Sequence, residues 1–101
     1  MRYFVIGDED AVLGFGLVGV HGQSAATPQE AQRAFTLALE DKEVGIVIIT
    51  ERVAELIRPQ VDRYLFTQSF PLIVEVPDRL GPVAGKAGVR EMVNQAIGIK
   101  L

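Results

Sequence analysis

The chain has 101 residues, of which 49% are apolar and 23% charged, with a net charge of −3 and no cysteine. That length builds one small core and leaves no room for a second. The apolar content excludes disorder, and it fits either a tight core or a surface reserved for a partner. The ten Lys and Arg are scattered singly, with no two adjacent. Nucleic-acid binding is therefore not expected, because it needs a clustered basic face to displace counterions from phosphates. The absence of cysteine excludes disulfides, thiolate catalysis and Cys-ligated metals.

Met1 is followed at once by Arg2 and a strand-like run, which is not the pattern of an export signal. Residues 11–29 carry no formal charge, but only 11–20 are apolar, too few to span about 30 Å of hydrocarbon. The expected location is cytoplasmic, peripheral to a membrane only through other proteins, with no direct membrane insertion.

In chain order, residues 3–6 (YFVI) form a continuous apolar run closed by Gly7, the mark of a strand buried on both faces. Asp8 then suits a helix cap, with Glu9 and Asp10 complementing the positive helix end. Residues 11–18 have helical spacing in Val12, Phe15, Leu13 and Leu17. Gly14 and Gly16 weaken that helix by about 1 kcal/mol each relative to Ala, which suggests close approach of another backbone. Residues 19–22 (GVHG) read as a short second strand or turn.

Thr27-Pro28-Gln29-Glu30 is a helix start: Thr27 caps, Pro28 takes the first helical position and Glu30 completes a capping box. The apolar face runs through Ala31, Ala34, Phe35, Ala38 and Leu39 to about Lys42. Residues 45–50 (GIVIIT), with four consecutive β-branched apolar residues, predict a third strand. Residues 51–66 place Val53, Leu56, Ile57, Val61, Tyr64 and Leu65 on one helical stripe. Pro59 inside it predicts a kink or break near Arg58.

Pro71 and Pro77 bracket a fourth strand, residues 72–76 (LIVEV). Residues 78–88 hold three glycines and a proline and predict a linker. Val89, Met92, Val93, Ala96 and Ile97 then fall on one face of an amphipathic helix ended by Gly98. The domain organisation expected is an α/β core over 1–77, a Gly/Pro-rich linker over 78–88, and a C-terminal helix and tail over 89–101. Alternating strands and helices require right-handed crossovers and a parallel sheet. The expected fold is α/β, flavodoxin-like (receiver-like): a four-stranded parallel sheet of order 2-1-3-4 with helices on both faces and a tethered C-terminal amphipathic helix.

Four motifs come near to chemistry. Asp8, Glu9 and Asp10 stand at the carboxyl end of the first strand, where α/β sheets bind ligands. A receiver phosphorylation site also needs an aspartate after the third strand, where Thr50 and Glu51 stand, and a lysine after a late strand, where Pro77 stands. The run Gly81 to Ala87 has three residues between its glycines and no hydroxyl after Lys86, so it departs from the Walker pattern. Gly14, Gly16 and Gly19 lie a helix away from the first strand, where no helix end could seat a pyrophosphate.

His21 is the lone histidine, without a cysteine or second histidine to share a metal, and neither Ser24 nor Ser69 has a nucleophile-elbow context. No catalytic residue, cofactor site or metal site is expected. The C-terminal helix either packs on its own sheet or docks on a partner helix.

Taken together, the segments resemble the F-subunit family of V-type (archaeal/vacuolar-type) rotary ATPases and ATP synthases. The residues that carry the resemblance are Gly7-Asp8-Glu9-Asp10 with residues 12–20 (VLGFGLVGV), residues 45–51 (GIVIITE) with 54–58 (AELIR), residues 70–77 (FPLIVEVP), and residues 96–101 (AIGIKL). They span nearly the whole chain in the family's order. Gly16, where the family often carries a long basic side chain, and Pro59, within a helix that is commonly continuous, depart from the pattern.

The resemblance implies a non-catalytic central-stalk (rotor) component that binds the coiled-coil D subunit of the stalk. It also implies that the chain reaches the catalytic head (A/B subunits) through its C-terminal helix and helps couple ATP hydrolysis or synthesis to ion transport. The residues expected to touch partners are Val89, Arg90, Met92, Val93, Ile97 and Tyr64. The rival expectation is a receiver-like signalling or adaptor domain of the same fold.

Overall fold

A computed structural model describes residues 2–78, 80 and 81 of the chain. The elements follow in the order β1 (Arg2–Gly7), α1 (Glu9–Gly16), β2 (His21–Ser24), α2 (Pro28–Glu40), β3 (Val44–Thr50), α3 (Glu51–Leu56), α4 (Arg58–Thr67) and β4 (Leu72–Val76). All neighbouring strands are parallel, and the sheet order is β2-β1-β3-β4. This is the doubly wound order expected from the alternation of the sequence. The expected linker and C-terminal helix lie outside the described residues, apart from Asp78, Leu80 and Gly81.

Local chemistry sets most boundaries. Asp8 caps α1 by accepting from the Ala11 amide at 3.2 Å. Thr27 caps α2 by accepting from the Glu30 amide at 3.1 Å, and the Glu30 carboxylate reaches back to the Ala26 amide at 2.9 Å. The Asp8 and Thr27 bonds satisfy amides that the first helical turn leaves without a partner, and the Glu30 bond ties down the residue before the Thr27 cap. The break at Pro59 is present: Ile57 leaves helical geometry at φ −129 and ψ 35, separating α3 from α4. A proline at the second position of α4 costs nothing, because its missing donor would have had no partner there.

The core lies on one face of the sheet. Ile6, Val47, Ile49 and Ile73 meet Ala31, Ala34, Phe35 and Ala38 of α2, Val53 and Ala54 of α3, and Val61 of α4. The small side chains of Ala31, Ala34 and Ala38 let α2 approach the strands closely. Val5 is also buried but stands outside that cluster, as its alternation with Ile6 along β1 requires. It belongs to the opposite face, that of α1, where the right-handed crossovers place the first helix alone among the described residues.

Four expectations are corrected. Gly14 and Gly16 are not there for close packing, since nothing lies within 4 Å of the Cβ that either would carry. Helix α1 rests on the β1–β2 side of its face and turns both glycines to solvent. Leu13 and Leu17, expected on its inward stripe, are exposed, and α1 buries no residue fully. The second strand starts two residues later than expected. Gly19, at φ +89, is spent on closing α1, with the Val20 amide donating to Phe15 O and the Gly19 amide to Gly16 O. Leu56 and Leu65, expected on the inward stripe of the third helix, are also exposed; the break at Ile57 resets the helical phase for Leu65, while Leu56, the last residue of α3, stands beside the cavity at the ends of the strands.

Candidate functional site

The acidic corner is built as a cap. Asp8 is committed to α1, and Thr50 at the end of β3, fully buried, accepts from the Val53 amide at 3.4 Å to cap α3. No carboxylate stands where a receiver domain would accept phosphate: that position is the Thr50 hydroxyl. Gly7 shows how closely the corner is packed, since a Cβ there would lie 2.8 Å from Thr50 Cγ2 and 3.0 Å from Ala11 Cβ.

Above the corner, at the carboxyl ends of β1 and β3 where the winding reverses, is a cavity of about 510 Å³. Its walls include Asp8, Glu30, Thr50, Arg52, Leu56 and Asp78. Arg52 and Asp78 close one side as an ion pair at 2.9 Å. Among the described residues, no group of three or more His, Cys, Asp or Glu could hold a metal ion.

The apolar surface is more telling. On the α1 face, the strand register lays Tyr3, Ile46 and Leu72 in one row and Val5, Ile48 and Val74 in the next. The β4 residue is the most exposed of each row. Val5 is fully buried but Val74 is 37% exposed, while Tyr3 and Leu72 are 49% and 54% exposed. Among the described residues only α1 covers this face, and it covers the β2 side. At the amino end of β4, Phe66 is 93% exposed and Phe70 is 63% exposed. An apolar face open over one edge of a parallel sheet is unusual, because such sheets are covered on both sides, and exposed patches of this kind mark interaction surfaces.

Tyr64 is the one sequence-predicted partner residue within the described part. It sits half-buried on the opposite, packed face. Its ring stands edge-on to Phe35 at 5.8 Å between centroids, and its hydroxyl donates to Pro71 O at 2.8 Å. Burial raises its phenol pKa above the ordinary 10.0. Nearby, Arg58 joins α4 to β4. It donates to both Glu75 oxygens at 2.6 and 2.9 Å, and it also pairs with Glu55 and Asp62 at 3.1 Å each. The Glu75 carboxylate, with the flanking acids, holds its guanidinium pKa above the usual value against the cost of burial.

Val89, Arg90, Met92, Val93 and Ile97 lie outside the described residues. Sequence spacing does not single out Tyr3, Leu72, Val74, Phe66 or Phe70 as surface residues. Period-two alternation along residues 72–76 is a signal for Leu72 and Val74, but only the strand order shows that their face is the open one.

Fold and surface together define a doubly wound α/β domain in which the described residues leave an apolar sheet face uncovered toward β4. Comparison with known proteins gives the family. The family model described as "ATP synthase (F/14-kDa) subunit" matches residues 4–93. The chain is 40% identical to the A-type ATP synthase F subunit of Thermococcus kodakarensis, over 100% of this chain and 98% of that protein. It is 37% identical to the F subunit of the A-type ATP synthase of Pyrococcus furiosus, over 100% of this chain and 98% of that one. For the corresponding F subunit of Methanothermobacter thermautotrophicus the identity is 31%, over 96% and 92%. The chain belongs to this ATP synthase subunit family.

Proposed function

We propose that this chain is a non-catalytic central-stalk (rotor) subunit of a V/A-type rotary ATPase or ATP synthase. In this reading it binds the coiled-coil D subunit and helps couple ATP turnover in the head to ion movement across the membrane. It reaches the membrane only through the complex, and among the described residues no helix is long and apolar enough to cross one. The observation that carries the proposal, in a chain of this family, is the apolar face that the described residues leave uncovered at Tyr3, Leu72 and Val74, with Ile46 between them.

Torque transmission requires a body that does not deform under side load. A close-packed core with four parallel strands supplies this. It also requires a side-on grip, and apolar rows along the sheet give a helix of a coiled coil an extended seat. The 89–101 segment, with Val89, Met92, Val93 and Ile97 on one helical face and Arg90 beside them, is proposed as the second grip. It would reach toward the A/B head from the linker over 78–88, while Tyr64 braces the turn into β4.

Titration of the full chain against its coiled-coil partner tests this. Met92→Asp with Val93→Asp is expected to weaken binding while the fold of residues 2–78 stays intact. Unchanged affinity would remove the segment from the grip, and no measurable binding by the unaltered chain would overturn the proposal.

A further inference from the structure

Helix α4 begins against local preference. Its first residue is Arg58, no side chain caps it, and its first turn holds no acid. A cation there meets the positive end of the helix dipole, where an acid is favoured. A tertiary contact offsets this. The Arg58 guanidinium donates to both Glu75 oxygens at 2.6 and 2.9 Å, and the two side chains are only 23% and 17% exposed. Glu55 and Asp62 accept from the same fork at 3.1 Å each. The break at Ile57 restarts the helix at Arg58 and so sets the direction of its side chain independently of α3.

Glu75 pairs in register with Ile49, on the face that α2, α3 and α4 pack. Leu72 and Val74 alternate with it along β4 and belong to the other, apolar face. Among the described strands β4 is hydrogen-bonded to β3 alone. Helix α4 grips the entry to the strand as well, through the Tyr64 hydroxyl on Pro71 O at 2.8 Å. It therefore holds β4 near both ends, from behind the residues that the apolar face presents.

We propose that Arg58 and Tyr64 are positioning residues for the apolar face. From the packed side they fix β4 against β3, and with it the placement of Leu72 and Val74 beside Ile46 and Ile48. A planar fork on two carboxylate oxygens resists rotation as well as separation, which a lysine ammonium does not. The consequence for partner binding rests on the reading of this face as the grip. The hold on β4 does not.

Amide exchange and residual dipolar couplings of the full chain test the hold, and titration against the coiled-coil partner tests its consequence. Arg58→Lys keeps the charge and loses the two-point contact. It should speed exchange over residues 72–76 by about tenfold, shift the couplings of Leu72 and Val74, and leave Val5 and Ile6 of β1 as they are. Glu75→Gln should act in the same way from the other end, and carries the test if Arg58→Lys fails to fold. Ala38→Gly, which weakens the core at α2, should lower the unfolding midpoint without singling out β4; a merely structural role for Arg58 predicts the same of Arg58→Lys. At a temperature where every variant is folded, Arg58→Lys should weaken partner binding by about tenfold, because binding must then order a loosened strand. With Leu72→Ala already in place it should cost no more than about threefold further, since the contact it positions is gone. Exchange and couplings in β4 that match the parent would overturn the proposal, as would faster β4 exchange with affinity within twofold of the parent. No binding by the unaltered chain would remove the partner reading alone, with exchange and couplings in β4 still deciding the positioning role.

Discussion

Replacing Leu72 with Asp puts a charge in the middle of the open face at its β4 edge. Leu72 is 54% exposed, so slightly less than half of its side chain contributes to the fold. Full burial of a leucine contributes about 1.5–3 kcal/mol, so losing that part costs about 1 kcal/mol. Aspartate in a strand adds up to about 1 kcal/mol. The isolated chain should therefore lose about 1–2 kcal/mol and melt roughly 4–16 °C lower, while remaining folded at room temperature. If the row Tyr3–Ile46–Leu72 seats a partner helix, the same change places an unpaired carboxylate in a closed apolar contact. Affinity should then fall by about 30-fold or more, the behaviour of a residue near the centre of an interface. Calorimetric titration against the coiled-coil partner, with circular dichroism to show that the fold persists, measures both effects. Phe66→Asp is the comparison: at 93% exposure it should alter stability by no more than about 0.5 kcal/mol. A folded Leu72→Asp chain that binds within twofold of the parent would refute the assignment of this face.

Three further outcomes follow from the packing. Gly22→Ala should destabilise the fold strongly, because its Cβ would lie 2.0 Å from the Val5 carbonyl oxygen and only backbone movement between β1 and β2 could relieve it; urea unfolding should show a loss of about 3 kcal/mol or more. Arg58→Met should cost about 2–3 kcal/mol in the same assay, since it strands the partly buried Glu75 carboxylate, and Glu75→Gln in that background should recover part of the loss. The Tyr64 phenol, raised by burial, contributes stability that is present below pH 10 and is lost as pH rises through its folded value. Alkaline unfolding midpoints should thus fall less steeply with pH in Tyr64→Phe than in the parent. That variant also gives up about 1 kcal/mol with the bond to Pro71 O.

The candidate surface was only partly legible in the residues. The amphipathic spacing of Val89, Met92, Val93 and Ile97 is visible in sequence, as is the alternation of Leu72 and Val74. Tyr64 falls on the same helical stripe as Val53, Ile57 and Val61, and spacing could not show that its hydroxyl is already engaged by Pro71 O across the turn. Phe66 and Phe70 carried no periodic signal at all. Their exposure follows from where α4 ends and how the chain re-enters β4.

The sequence by itself determined the identity and order of the strands and helices, the caps at Asp8 and Thr27, the break before Pro59 and the 2-1-3-4 winding. Each depends on interactions within a few residues, or on the handedness that an L-amino-acid chain imposes on every crossover. Tertiary structure alone decided that β2 begins at His21, because Gly22 must lie against Val5. It also decided that Gly14 and Gly16 face solvent, that the described residues leave the α1 face uncovered toward β4, and that Arg52 meets Asp78 and Arg58 meets Glu75. Those pairs are separated by 26 and 17 residues. No local preference links residues so far apart, and only the packing of α3 and α4 beside β4 brings them together.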